Sequence, residues 1–89
     1  MKDYDELIDN LYKVIIKIEN VEDCKAFFED LCTYKEVEQM AQRLEAAKLL
    51  LDNQTYTQVT HETDISSATL SRVSKCIQHG SGGYKKFAK

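Results

Sequence analysis

Proline is absent from this chain of 89 residues, and glycine occurs only three times. Because these two residues are the main breakers of regular structure, few interruptions are expected, and the length indicates one small domain. A domain of this size buries only about 60% of the surface of its unfolded chain. Association with a second chain is therefore a natural source of further stability.

Cysteine is scarce and odd in number, with Cys24, Cys32 and Cys76. An odd count argues against a disulfide framework and for a reducing cytoplasm. Cys24 and Cys32 are eight residues apart on one predicted helix, which is too far for a bridge. There is no CxxC pair, and His61 and His79 lack partners at ligand spacing, so neither a metal site nor another cofactor is predicted.

Long apolar runs are also missing. The longest, such as residues 14–16, are far too short to cross a bilayer, and no signal peptide is evident, so we expect a cytoplasmic protein without membrane contact. The chain also lacks a glycine-rich phosphate loop, and no paired carboxylates are set in an obvious cleft. His61 and Glu62 are adjacent and point about 100° apart on a helix, which makes them poor acid–base partners. We predict that the protein is not an enzyme.

Acidic residues are concentrated in the first half of the chain. Residues 1–45 carry 12 acids and 6 bases, whereas residues 46–89 carry 3 acids and 6 bases, which together give the net charge of −3. No acid follows Asp64, and five bases do. A mildly acidic protein can therefore present a basic face to phosphate, although a solvated lysine-rich tail explains the charges equally well when they are taken alone.

Apolar residues recur at helical spacing near the N-terminus. Between Asp3 and Ile18 they cover an arc of about 200°, twice the width that a helix on one core requires. This arc consists of Leu7, Ile8, Leu11, Tyr12, Val14, Ile15, Ile16 and Ile18. A partner chain is the simplest second surface for such a helix.

Two further helices are predicted before residue 54. Asn20 can cap a helix over residues 21–31, in which Phe27 and Phe28 are core or dimer contacts. The pair Thr33 and Glu36 has capping-box spacing and opens a long helix that reaches Asp52. Its predicted inward positions are Val37, Met40, Ala41, Leu44, Ala47 and Leu51. A short polar linker, residues 52–54, follows it.

The stretch from Thr55 to Ile77 has the features of a helix-turn-helix. Thr55 and Gln58 form a second capping box, Asp64 stands where the chain reverses with positive φ, and Ser66 can cap the next helix. Ile65, which follows Asp64 in the turn, is predicted to be buried. Inward apolar side chains follow the spacing of two packed helices: Val59, Leu70, Val73 and Ile77.

The opposite stripe of the second helix suits a DNA major groove. Small residues permit close approach, hydroxyls can bond base edges or phosphates, and a guanidinium can bond a guanine at two points. The predicted DNA-binding residues are Thr55, Tyr56, Ser66, Ser67, Ala68, Thr69, Ser71, Arg72 and Lys75. An ordinary helical hairpin in a small bundle shows the same caps, turn and apolar stripe.

The motif resembles the helix-turn-helix of the tryptophan-repressor superfamily, and most closely that of its YerC/YecD branch. The resemblance is carried by SSATLSRV (66–73), by TYTQVTHETD (55–64), by residues 76–84 and, upstream, by QRLEAAKLLL (42–51). It covers the C-terminal half strongly and the remainder by helix layout.

The resemblance implies an all-α, intertwined homodimer that acts as a sequence-specific transcription regulator, with a repressor expected. The helix 67–78 of each subunit would enter the major groove of double-stranded DNA. In this interpretation residues 1–79 are a single domain, with dimerisation helices in 1–32, a long central helix in 33–52 and the helix-turn-helix in 55–78. Residues 80–89 are a flexible basic tail, which can fray or fold back through Tyr84 and Phe87.

The resemblance also bears on an effector. In the tryptophan repressor the indole ring lies between two arginines, and the matching positions here are Arg43 and Arg72. The repressor has glycine after its second arginine, but this chain has Val73, whose branched side chain intrudes on such a pocket. This difference argues against L-tryptophan as corepressor, and a salt-bridging Arg43 beside Glu38 or Glu45 is the plainer interpretation.

A second class of function remains open. The wide apolar face and the aromatic residues also fit a helical protein–protein interaction module that keeps the helix-turn-helix only as architecture. This alternative predicts that an apolar patch remains exposed in the dimer and that the protein has no salt-dependent affinity for DNA.

Overall fold

The fold is all-α, as predicted. The structure, a computed structural model, describes residues 3–89, in which no strand occurs. Six helices follow in order: α1 (Tyr4–Ile15), α2 (Val21–Leu31), α3 (Tyr34–Leu51), α4 (Tyr56–Thr63), α5 (Ser67–His79) and α6 (Gly83–Phe87). The chain divides into two compact units, one ending at Tyr34 and the other spanning Lys35–Lys89.

Helices α1 and α2 begin at polar caps. The carboxylate of Asp3 accepts hydrogen bonds from the backbone N–H groups of Asp5 and Glu6, and the side chain of Asn20 accepts one from the N–H of Asp23, as predicted. Helix α1 ends at Ile15 rather than at Ile18. Its last bonds run from residues 17 and 18 to carbonyls only three residues back, which tightens the final turn.

The first unit has no buried side chain among residues 3–34. This absence is notable because the unit carries many large apolar side chains. Those that are exposed in one chain are Tyr4, Leu7, Ile8, Tyr12, Val14, Ile16, Val21 and Leu31. Five of the eight residues in the wide apolar arc predicted for α1 are therefore exposed in the single chain, whereas Leu11, Ile15 and Ile18 are partly buried.

The core lies in the second unit. It is formed by Ala46 and Ala47 of α3, Val59 of α4, Ile65 of the turn, Leu70 and Val73 of α5, and Ala88. Helix α5 packs against both α4 and α6. The predicted inward face of α3 is partly wrong, because Ala46 is buried whereas Ala41 and Leu44 are exposed, Leu44 by 52%. The buried stripe follows the adjacent alanines, whose small side chains permit close packing.

The prediction of a flexible tail over residues 80–89 is wrong for its second half. Residues 83–87 form α6, Tyr84 packs against the core, and Ala88 is only 6% exposed. Of the two contacts considered for a folded tail, Tyr84 forms one, but Phe87 is 78% exposed. The apolar contacts of Tyr84 and Ala88 outweigh the low helix propensity of the glycine-rich stretch.

Within residues 3–89, no helix combines the length and the apolar character needed to cross a bilayer, and no three metal-ligating side chains cluster together. The thiols of Cys24, Cys32 and Cys76 are free.

Candidate nucleic-acid interface

Helix α4 starts at the predicted capping box. The Thr55 hydroxyl accepts a hydrogen bond from the N–H of Gln58 at 3.2 Å, and the Gln58 side-chain oxygen accepts one from the N–H of Thr55 at 2.8 Å. Two of the unpaired amide donors at the helix start are thereby satisfied. Tyr56, the first residue of α4, is 49% exposed, so Thr55 and Tyr56 both lie at the surface.

The turn between α4 and α5 is centred on Asp64. Its backbone adopts the left-handed conformation with φ 56° and ψ 16°, as predicted from its position. Around it, the Thr63 hydroxyl donates to the carbonyl of Val59 at 2.7 Å, and Gln42 Nε2 of α3 donates to the carbonyl of Thr63 at 3.3 Å. Ile65 is buried directly after the turn, so the angle between the two helices is held on both sides.

Two substitutions of Asp64 should distinguish the effect of its backbone conformation on stability from the effect of its side chain. Asp64→Val places a β-branched residue at positive φ and should lower the free energy of unfolding by about 1–2 kcal/mol. Asp64→Gly removes the steric conflict and should leave it unchanged or slightly higher. Urea unfolding of both variants measures the difference, and equal stability of the two variants would rule out backbone conformation as the reason for Asp64.

Helix α5 is capped by Ser66 and buries one stripe. The Ser66 hydroxyl accepts a hydrogen bond from the N–H of Thr69 at 3.2 Å. Leu70 is completely buried, Val73 nearly so, and Ile77 packs on the same core. Ser74 is buried on this stripe as well, with its oxygen 3.5 Å from Gln78 Nε2. The predicted inward positions of α5 are therefore confirmed.

The outward face of α5 carries the predicted small and basic side chains. At about 100° per residue, positions 68, 72, 75 and 79 lie opposite the buried stripe. Ala68, Arg72 and Lys75 are exposed there, and Ser67 and Ser71 are exposed beside them.

Thr69 differs from its predicted place on this face. It is half-buried at the flank of α5, and its hydroxyl oxygen accepts a hydrogen bond from the Ser66 hydroxyl at 2.9 Å. Both hydroxyls are therefore engaged in capping the helix. Sequence spacing alone could not show this, because the flank of a helix is buried or exposed according to what packs beside it.

The two motif helices begin without acidic residues. Helices α1, α2 and α3 each have an acid in the first turn, whereas α4 and α5 have none. An acid in that position neutralises the positive end of the helix dipole. The first turns of α4 and α5 therefore carry no acid that would repel phosphate groups.

A pocket of about 560 Å³ lies between α3 and α5 and brings Arg43 and Arg72 together. The remaining lining side chains are Gln39, Gln42, Ile65, Ser66, Thr69, Val73, Cys76 and Tyr84, so no carboxylate faces the pocket. Neither arginine forms an ion pair in the part of the chain that the structure describes, so the suggested partners Glu38 and Glu45 do not pair with Arg43. Tyr84 also forms part of the wall, a role that its spacing in the sequence does not indicate. The one feature that could have suggested it is the position of an aromatic residue directly after a glycine-rich stretch.

Two capped helices that meet at a left-handed turn, with a polar outward stripe on the second, define a helix-turn-helix protein. Comparison with known proteins agrees. The family model described as Trp repressor protein matches residues 6–89. The uncharacterised YerC protein of Bacillus subtilis (strain 168) is 41% identical over 78 residues, which cover 88% of this chain and 75% of YerC.

Two crystal structures are also similar. A candidate Trp repressor from Staphylococcus aureus is 36% identical with a TM-score of 0.86, over 97% of this chain and 90% of that one. A TrpR-like protein from Eubacterium eligens ATCC 27750 is 33% identical with a TM-score of 0.88, over 91% and 84%. The chain belongs to the Trp repressor family, in its YerC branch. Membership of this family points to a DNA-binding regulator.

Proposed function

We propose that the protein is a sequence-specific transcription repressor that binds double-stranded DNA as a homodimer and inserts α5 of each subunit into the major groove. The observation that carries this proposal is the outward face of α5, where Ala68, Arg72 and Lys75 are exposed, with Ser71 exposed beside them and Ser67 exposed at the start of the helix. Small and hydroxyl side chains would approach base edges, and the two cations would bind phosphates or a guanine.

The charge around the motif supports contact with DNA. The starts of α4 and α5 lack acids, and no acid occurs after Asp64. Thr55 and Tyr56 at the start of α4 would add phosphate contacts beside those of Arg72 and Lys75. In this arrangement Ser66 and Thr69 support the start of α5, because their hydroxyls are bonded to each other.

Two independent considerations support a homodimer. One helix-turn-helix reads only a few base pairs, so two recognition helices about 34 Å apart are needed for a specific site. In addition, residues 3–34 bury no side chain in the single chain although many are large and apolar. A second copy that covers α1 and α2 would supply the missing core.

The pocket at Arg43 and Arg72 is a candidate effector site, but we propose that its ligand is not L-tryptophan. Val73 is nearly completely buried and lines the same pocket, so its branched side chain takes up space beside Arg72. The DNA-binding role therefore does not rest on that corepressor.

The exposed apolar residues of the first unit also favour one other candidate, a helical module that binds a different protein. The two functions differ in a measurable way. A repressor dimer covers this apolar face with its own second copy and binds DNA with strong salt dependence, whereas an interaction module does neither.

We expect Arg72→Ala to weaken binding to all duplexes by removing one phosphate contact from each subunit of the dimer. The slope of log K against log salt concentration should become shallower by about 1.8, because about 0.9 fewer counterions are released for each of the two contacts. Fluorescence anisotropy with a labelled duplex over a salt series measures both quantities. Lys25→Ala, which removes one exposed cation from α2, is the matched control and should leave the slope unchanged. An Arg72→Ala variant with the affinity and slope of the wild type would place Arg72 outside the interface.

A further inference from the structure

The chain reverses sharply after α5, and two glycines make this reversal possible. A Cβ atom on Gly80 would lie 2.4 Å from the carbonyl oxygen of Cys76, a distance that no side chain tolerates. Gly82 has φ of +87°, in the left-handed region that glycine favours. The backbone can therefore turn back at this point and place α6 against α5.

Helix α6 faces the core with Tyr84 and Ala88, which are four residues apart and share one side of the helix. The N–H of Ala88 donates to the carbonyl of Tyr84 at 2.8 Å, which keeps the two residues in register. Ala88 belongs to the core, and Tyr84 packs on it. Phe87, about 60° from Tyr84 around the same helix, is exposed.

Tyr84 lies at a junction between the C-terminal segment and α5. It lines the 560 Å³ pocket together with Thr69, Arg72 and Val73 of α5, and it lines a second pocket of about 330 Å³ with Cys76 and Gly80. Tyr84 therefore borders two open spaces on one flank of α5. The hydroxyl of Tyr84 forms no hydrogen bond in the part of the chain that the structure describes, so the ring itself provides the contact.

We propose that residues 80–88 form a strap that holds α5 in the orientation in which it binds DNA, with Tyr84 as the positioning residue. The proposal rests on the proposed function. Helix α5 packs against α4 and α6, and its buried residues share one core with Ala46 and Ala47 of α3. Loss of the ring would enlarge both open spaces and remove a contact beside the flank that carries Thr69 and Arg72. A recognition helix with more freedom loses more conformational entropy when DNA binds.

The basic residues of the segment offer a different explanation for any effect on DNA. Lys85, Lys86 and Lys89 are exposed and could contact phosphates directly. That role depends on charge, whereas the strap depends on the packing of Tyr84. The two are separable, because loss of a phosphate contact changes the salt slope and loss of packing does not.

The test uses Tyr84→Ala in the full chain, with Tyr84→Phe and Phe87→Ala as controls. Hydrogen exchange in the absence of DNA should be about tenfold faster for the amides of α5 than in the wild type, with little change in α3. DNA affinity should fall by about tenfold with an unchanged salt slope. Tyr84→Phe keeps the ring and should behave as the wild type, and Phe87→Ala removes an exposed ring and should also have no effect.

A second variant keeps the test decisive if Tyr84→Ala does not fold. Gly82→Ala meets no atom within 4 Å and only strains the turn, so it should speed exchange in α5 in the same direction but less. Exchange in α5 that matches the wild type, or that rises equally in α3 and α5, would overturn the strap. If the wild type binds no duplex, the proposed function fails, and the exchange measurements still decide whether the segment holds α5.

Discussion

Ile8→Glu should convert the protein from a dimer into a monomer. Ile8 lies on the wide apolar arc of α1 and is 45% exposed in the single chain, within a unit in which no described residue is buried. If a second copy covers this arc, the substitution places an unpaired carboxylate in an apolar contact, which costs several kcal/mol, and a two-fold dimer contains the change twice. The dissociation constant should therefore rise by roughly 1000-fold or more.

Sedimentation velocity measures this effect directly. The wild type should have twice the mass of the 10.3 kDa chain, and Ile8→Glu should sediment as a single chain with a lower melting temperature. Asn10→Glu is the matched control, because it adds the same charge to the polar side of the same helix. A wild-type protein that sediments as a monomer, or an Ile8→Glu variant that remains dimeric, would remove α1 from the dimer contact.

Ser71→Glu should abolish specific DNA binding while the fold is retained. Ser71 is exposed beside the outward stripe of α5, so the substitution should change the free energy of unfolding by no more than about 0.5 kcal/mol. In a major groove, however, the new carboxylate lies among phosphates in a segment that has no acid after Asp64. Like charges placed at an interface cost several kcal/mol, and we expect a loss of affinity of at least about 100-fold.

The control for Ser71→Glu is again Asn10→Glu, which makes the same change in net charge on α1. Circular dichroism should show equal helix content and melting temperature for both variants, and gel shift should show loss of binding for Ser71→Glu only. Equal weakening of DNA binding by both variants would show that net charge matters and position does not. Unchanged binding by Ser71→Glu would place this face of α5 away from DNA.

The motif was predictable because its determinants are local. The capping box at Thr55, the left-handed Asp64 and the cap at Ser66 each depend on a few neighbouring residues, and all three are present in the structure. The helical spacing of Leu70 and Val73 likewise identified the buried side of α5. Such features need no knowledge of the remainder of the fold.

The predictions were wrong where contacts between distant parts of the chain decide which residues are helical or buried. The segment after His79 has three glycines and no periodicity, and only the packing of Tyr84 and Ala88 on the core makes residues 83–87 helical. In α3, Ala46 is buried and Leu44 is exposed, the reverse of the prediction. Apolar residues are so frequent in this helix that several of its faces fit helical spacing almost equally well.

The candidate site was predictable only in part. Exposed Arg72 and Lys75 follow from the periodicity of α5, and the meeting of Arg43 with Arg72 was suggested by the family resemblance. The capping bond that engages Thr69 and the presence of Tyr84 in the pocket wall both depend on three-dimensional placement. The positions of Thr69 and Tyr84 in the sequence follow no spacing that would identify these roles.

In vitro selection of wild-type protein against random duplexes tests the central claim most directly, because it asks whether paired α5 helices read a DNA sequence. We predict enrichment of one palindromic site whose half-sites are separated by about 10 base pairs, one turn of the double helix. A selection that enriches no sequence, or only an asymmetric site without repeated halves, would contradict a homodimeric repressor that inserts α5 of each subunit into the major groove.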